Sequence, residues 1–184
     1  MFKARFLLLI VFCLISVTAI ADEFTLTSPS VEPGGFLGNE QVYDGFGCSG
    51  RNRSPALDWT AGPEGTKSYA VTVYDPDAPT GSGWWHWVVY NIPADVTGLP
   101  AGAGDADGKR LPPGAVQGRT DFGTHAFGGP CPPKGHPPHR YIFTVFALKT
   151  EKIDAPPDAS AAMIGFMINA NTLARTSFTA MYGR

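Results

Sequence analysis

Charge is scarce in this sequence. Asp, Glu, Lys and Arg make up 16% of its 184 residues, with 14 Lys+Arg against 16 Asp+Glu and a formal net charge of −2. A basic surface of the kind that holds nucleic acid is therefore not expected. Several catalytic signatures are also missing: there is no G-x-S-x-G elbow, no G-x-x-x-x-G-K-[ST] phosphate loop and no H-E-x-x-H metal motif. Long helices have little room, because Gly 22 and Pro 17 amount to about a fifth of the chain. What is present is apolar surface. With a hydrophobic fraction of 43% and 12 Phe, 6 Tyr and 4 Trp, the chain can fill a core, so it reads as a folded, loop-rich protein rather than a disordered one. No internal repeat and no linker divide it, which implies one domain.

The amino end stands apart. Lys3 and Arg5 precede an uncharged run from Phe6 to Val17, and Ala19-Ile20-Ala21 precedes Asp22-Glu23. A positive end, a short apolar run and a small-x-small site form the pattern of a secretory signal peptide cleaved after Ala21, leaving a mature domain of residues 22–184. The run is short for a bilayer span of about 20 residues, and no other stretch is long enough, so no membrane segment is expected after cleavage. Loss of Lys3 and Arg5 makes the mature chain more acidic. Cys13 leaves with the segment, and Cys48 and Cys131 remain. Two cysteines in an exported chain suggest a disulfide, with separate buried thiols as the alternative.

Three segments alternate with the period of strands and are rich in β-branched and aromatic residues: Ser68–Tyr74, Trp85–Ile92 and Arg140–Leu148. They are expected to be central. Weaker strand patterns cover Phe24–Ser28, Ala56–Trp59 and Ser177–Tyr182. One helix is expected from Ala161 to about Ala174, capped by Asp158-Ala159-Ser160, with Met163, Phe166, Met167, Ala170 and Leu173 recurring at helical spacing. Strands followed by a late helix indicate a mainly β sandwich or barrel rather than βαβ units. The long stretch from Pro93 to His139 holds much of the glycine and proline, and loops of that length are usually functional or tied down.

Groups that do chemistry are concentrated in one part of the chain. Asp75 and Asp77 close the first strong strand, where an extended backbone points both to one face and Pro76 and Pro79 stiffen it into an acidic lip. The alternative is that each Asp is a turn former bonding its own backbone. His86 is expected to share a face with Trp84 and Val88, and His139 with Tyr141 and Phe143. His125 and His136, among glycines and prolines, read as solvated loop positions. If the strand ends converge, two His, two Asp and a Tyr line one cavity. Such a cavity suits a small anion held by imidazole, phenol and backbone N–H donors. A metal on His86, His139 and a carboxylate is chemically acceptable but matches no compact ligand spacing, so neither a metal nor a cofactor is expected. No serine stands beside a base, which leaves a nucleophilic triad without support.

The stretch Tyr74-Asp75-Pro76-Asp77-Ala78-Pro79, the run Trp84-Trp85-His86-Trp87, and Gly128-Gly129-Pro130-Cys131-Pro132-Pro133-Lys134-Gly135 followed by His139-Arg140-Tyr141 resemble the two signature regions of the phosphatidylethanolamine-binding protein (PEBP) family, also called Raf kinase inhibitor-like proteins. The resemblance continues through Asn52–Trp59 and the late helix, and is nearest to the bacterial YbhB/YbcL branch, in its exported YbcL-like type. It implies a large central antiparallel β-sheet packed on a smaller sheet with a peripheral C-terminal helix. It also implies a shallow pocket for phosphate or a phosphoethanolamine-like headgroup. By that resemblance Asp75 and Asp77 are the paired acidic residues, His86 and His139 the pocket histidines and Tyr141 the tyrosine beside them. Trp84, Gly128, Pro132 and Pro133 form the wall, and Ala78–Pro79 is a candidate for the cis peptide that the family often has before pocket prolines. Pro130-Cys131 is an addition relative to the animal branch, and an exported chain does not meet a cytosolic kinase, so kinase inhibition does not carry over. The expectation is a periplasmic or secreted, non-enzymatic binding protein. A protease-inhibitor or protein-interaction module acting through the loop Gly102–Gly135 is the alternative, and a hydrolase using His139 as acid/base the third. A protein partner and a homodimer stay open. Asn52-Arg53-Ser54 is a glycosylation sequon, meaningful only in a host that glycosylates exported chains.

Overall fold

The segment Ser68-Tyr-Ala-Val-Thr-Val-Tyr suits an extended backbone buried on both faces, and the computed structural model, which describes residues 23–184, places it at the centre of the molecule. The signal segment proposed for residues 1–21 lies outside the described residues. In chain order the strands are β1 (Leu26–Thr27), β2 (Asp44–Gly45), β3 (Cys48–Ser49), β4 (Leu57–Trp59), β5 (Ser68–Asp75), β6 (Trp84–Pro93), β7 (Gly98–Leu99), β8 (Val116–Gln117), β9 (His139–Leu148) and β10 (Thr172–Tyr182). The helix α1 (Ala161–Asn171) lies between the last two. Five strands form an antiparallel sheet in the order β10-β9-β5-β6-β8, so the three strongest sequence patterns are indeed its inner strands. A three-stranded sheet, β1-β4-β7, covers one face, and β2-β3 is a short hairpin.

Alternation along the inner strands divides the interior in two. Tyr69, Val71, Val73, Trp87, Val89, Tyr141, Phe143 and Val145 pack toward the small sheet with Leu26, Leu57, Trp59 and Leu99. Ala70, Val88, Tyr90, Phe146 and Leu148 face the other way, onto Ile164 and Ile168 of α1. The helix differs from expectation in two respects. Its buried stripe is Ala161, Ile164, Gly165 and Ile168, while Met163 and Phe166 point to solvent, Phe166 being 74% exposed. Two apolar stripes at helical spacing are present, and the β-branched one fits against the sheet. The helix also ends three residues early. Thr172 takes an extended backbone, its N–H donates to the Asn169 carbonyl, and it pairs with Leu148 to open an eleven-residue β10. At the start the expected cap is in place, with Ser160 Oγ accepting from Met163 N at 3.2 Å.

Two irregularities in β6 aim side chains. Between the pairs Val73–Trp87 and Tyr74–Trp85, β6 has one residue more than β5, and that residue is His86. A bulge of this kind turns its side chain away from the strict alternation. His86 therefore stays on the side of Trp84 and packs edge-on against Tyr141, with ring centroids 5.1 Å apart, rather than joining Val88 on the helix side as strict alternation predicts. A second surplus residue lies between Ile92 and Val89, where Asn91 adopts a left-handed φ of 59° and bonds both backbone groups of Ile153.

Candidate functional site

The cavity opens where β5, β6 and β9 end beside the loop 127–133. It measures about 150 Å³ and is lined by Phe46, Asp75, Ala78, Pro79, Thr80, Trp84, His86, Phe122, Cys131, Pro132, Pro133, His139 and Tyr141. Seven of the residues singled out from the sequence thus meet in one place: Asp75, Trp84, His86, Pro132, Pro133, His139 and Tyr141. Asp77 and Gly128 do not line it.

Asp75 performs both tasks read for it. Its Oδ1 accepts from the N–H groups of Asp77 at 2.8 Å and Ala78 at 3.1 Å, which is the turn-forming role, and its Oδ2 accepts from His139 Nδ1 at 2.8 Å. Both side chains are only 4% exposed. The carboxylate fixes the His139 tautomer: with the proton on Nδ1, Nε2 becomes the working nitrogen. That Nε2 lies 3.3 Å from Nδ1 of the exposed His136, so His136 is coupled to the site rather than simply solvated. His125 is bonded to the Gln117 carbonyl at 3.0 Å, outside the cavity.

His86 is held from the opposite wall. Its Nδ1 is 2.6 Å from the Gly128 carbonyl, an acceptor, so Nδ1 carries the proton and Nε2 presents a lone pair. Burial strips the imidazolium of solvent and pushes the His86 pKa down to about 4, so the ring is neutral at pH 7. Gly128 acts through this carbonyl, and a Cβ there would run into the Phe122 ring. Its loop is braced by Asn52, whose Nδ2 donates to the Phe127 carbonyl at 3.1 Å and whose Oδ1 accepts from Gly129 N at 2.7 Å. The sequence showed Asn52 as part of a sequon and of the Asn52–Trp59 resemblance but with no role of its own, and its positioning role depends on a contact across 75 residues.

Tyr141 supplies the unpaired group. The residue is buried at the base of the cavity and its hydroxyl has no hydrogen-bond partner. Burial and the Asp75 carboxylate raise its pKa, keeping the phenol protonated as a donor.

The acidic lip does not form. β5 stops at Asp75, the turn at Pro76 carries Asp77 outward, and Arg140 grips it through Nε at 2.9 Å, Nη2 at 2.7 Å and its own backbone N–H at 2.9 Å. The guanidinium holds the Asp77 carboxyl down at about 2. The two carboxylates therefore do different work, one buried on His139 and one clamping the start of β9. Ala78–Pro79 is trans, as is every peptide bond among the described residues, so the candidate cis bond is not formed. Among the described residues no three His, Cys, Asp or Glu side chains are grouped as metal ligands.

The rim is cross-linked. Cys48 and Cys131 form a disulfide with a Cα–Cα distance of 6.0 Å, fastening the β2-β3 hairpin to the loop 127–133. Phe46 at the hairpin tip and Phe122 are wall residues that sequence reading missed, because neither lies in a patterned strand and both reach the cavity from distant loops. Their rings stack with centroids 5.9 Å apart, and Trp84 meets Phe122 edge-on at 5.4 Å.

The chain as a whole is similar to known proteins. The family model for phosphatidylethanolamine-binding protein matches residues 27–183. Over 172 residues the chain is 57% identical to the protein YbcL of Escherichia coli K12, covering 94% of each. It is 52% identical to YbhB of the same organism over 157 residues, 85% of this chain and 98% of that one. The crystal structure of E. coli YbcL, described as a member of the mammalian PEBP family, superposes with a TM-score of 0.86 at 59% identity, covering 88% of this chain and 99% of that one. A putative PEBP homologue from Chlamydia trachomatis superposes at 0.73 with 26% identity, covering 89% and 99%. With its fold and nearly its whole described length shared with these proteins, the chain belongs to the phosphatidylethanolamine-binding protein family, in the bacterial branch of YbcL and YbhB.

Proposed function

We propose that the mature chain is an exported, non-catalytic protein that binds a small oxyanion, such as a phosphoryl group, in this cavity. The observation that carries the reading is the Tyr141 hydroxyl, buried in the cavity without a partner. A buried unsatisfied donor is costly, and an oxygen-rich ligand relieves that cost. Around it stand His139, which donates from Nε2 when it is an imidazolium backed by Asp75, and His86, which accepts at Nε2. Among the described residues no Lys or Arg lines the cavity. A singly charged anion that keeps one proton matches this set best, its P–OH donating to His86 and its oxygens accepting from Tyr141 and His139. The lining lacks an activated nucleophile, since Cys131 is in the disulfide and the Thr80 hydroxyl donates to the Gly83 carbonyl. Export is supported by the amino-terminal pattern and by the disulfide, which persists in an oxidising compartment.

Titration with inorganic phosphate, followed by NMR of the imidazole signals, tests the reading. Saturable shifts at His86 and His139, with His125 unmoved, are expected, and Tyr141→Phe should weaken binding about tenfold by removing one hydrogen bond to a charged group. Silence at both histidines up to tens of millimolar phosphate would overturn it and direct attention to protein partners of the long loop.

A further inference from the structure

The family name points to an ethanolamine headgroup, yet the cavity offers an ammonium group no counter-charge. Its one carboxylate, Asp75, is fully engaged by two backbone N–H groups and His139. Asp77 lies outside it, gripped by Arg140. Beside the polar base the lining is apolar: Phe46, Trp84, Phe122, Pro79 and Pro132. A volume of about 150 Å³ is that of a cavity that binds one benzene, so a phosphoryl group takes up much of it. A bulky substituent extends toward the rim.

Phe46 stands on that rim. It is 68% exposed, an unusual position for so large an apolar ring, and its backbone is left-handed with φ at 53°, a region non-glycine residues seldom occupy. The hairpin is nonetheless fixed. Cys48–Cys131 ties it to the opposite loop, and the Arg184 guanidinium donates to the carbonyls of Pro132 at 2.7 Å, Gly47 at 2.9 Å and Phe46 at 3.2 Å, bridging both sides of the mouth. Phe122 and Tyr43 pack against the ring, at 5.9 and 5.2 Å. The result is a braced aromatic surface whose outer part is open to solvent at the exit from an anion pocket.

Building on the anion-site reading above, we propose that the ligand is a phosphomonoester with a flat aromatic substituent, which stacks on Phe46, rather than one with an ammonium-bearing headgroup. Phe46 is then the residue that sets specificity, while His86, Tyr141 and His139, the last positioned by Asp75, hold the phosphoryl end.

Calorimetric titration of the oxidised mature protein with inorganic phosphate, phosphoethanolamine and phenyl phosphate tests this at one pH and ionic strength. Phenyl phosphate should bind about tenfold more tightly than phosphoethanolamine. In Phe46→Ala and in Phe46→Leu, which keeps apolar area but not the ring, the ratio of those two affinities should fall to near one. Phosphoethanolamine binding as tightly as phenyl phosphate in the wild type would overturn the inference, as would a ratio unchanged in both variants. The failure of the underlying reading looks different. Phenyl phosphate binding through Phe46 while inorganic phosphate does not would leave this inference standing and remove bare anions as ligands, and no binding by any of the three would refute both.

Discussion

His86 should make this protein lose stability in mild acid. The ring is 4% exposed and its pKa is about 4, whereas in the unfolded chain it titrates near 6.5. Between those values the unfolded state binds a proton that the folded state refuses, so stability rises with pH across that window. The contribution is fully present above about pH 6.5 and is lost as pH falls toward 4. The difference of about 2.5 pH units corresponds to about 3 kcal/mol, a large share of the 5–15 kcal/mol that stabilises a domain. Asp77 titrates in acid too, but below this window, because Arg140 holds it at about 2. Urea unfolding at intervals from pH 7.5 to 4, on wild type and on His86→Gln, isolates the effect. The wild-type curve should fall by about 3 kcal/mol more than that of the variant, which is less stable at pH 7 but flatter. A His86 imidazole signal titrating near 6.5 in the folded protein, or two parallel curves, would refute the argument that burial keeps the ring neutral against the opposing pull of the Gly128 carbonyl. The same measurement bears on the ligand, since a neutral His86 accepts from a protonated anion.

Other consequences concern the scaffold. The Cys48–Cys131 bridge spans a sequence separation of 83, so Cys48→Ser with Cys131→Ser should cost about 4 kcal/mol in urea unfolding if chain entropy dominates, and a loss below about 1 kcal/mol would refute that account. The choice between the two helical stripes is also measurable: Ile168→Ala, at a fully buried position, should cost about 3 kcal/mol, and Phe166→Ala less than about 0.5 kcal/mol. Equal losses would mean that the solvent-facing stripe is packed.

Much of the site could be read along the chain. Asp75, His86, His139 and Tyr141 lie in or at the ends of strands with clear alternation, and a strand's period of two states which residues share a face. That is why the three inner strands were legible, whereas the convergence of their ends stayed conditional until the strands were paired. The same rule failed at His86 and Val88, where one surplus residue in β6 changes the parity, because a bulge is a property of two paired strands and not of one. The helix stripe failed for a similar reason. Hydrophobic spacing identified a helix, but which apolar side is buried depended on the shape of the sheet beneath it.

By itself the sequence determined the mainly β class, the inner strands, the late helix with its Ser160 cap, and most of the polar residues that line the cavity. These follow from local preferences and short periodicities. Tertiary structure decided what those residues do. It separated Asp75 from Asp77 by burying one on His139 and giving the other to Arg140, drew His136 to His139, and set Asn52 to brace the Gly128 carbonyl. It also brought Phe46, Phe122 and Arg184 to one cavity mouth from three distant parts of the chain. Apart from His136 and His139, which are neighbours in the chain, these contacts span from 52 to 138 residues and leave no spacing to read, because they arise when separate loops fold onto the same end of the sheet.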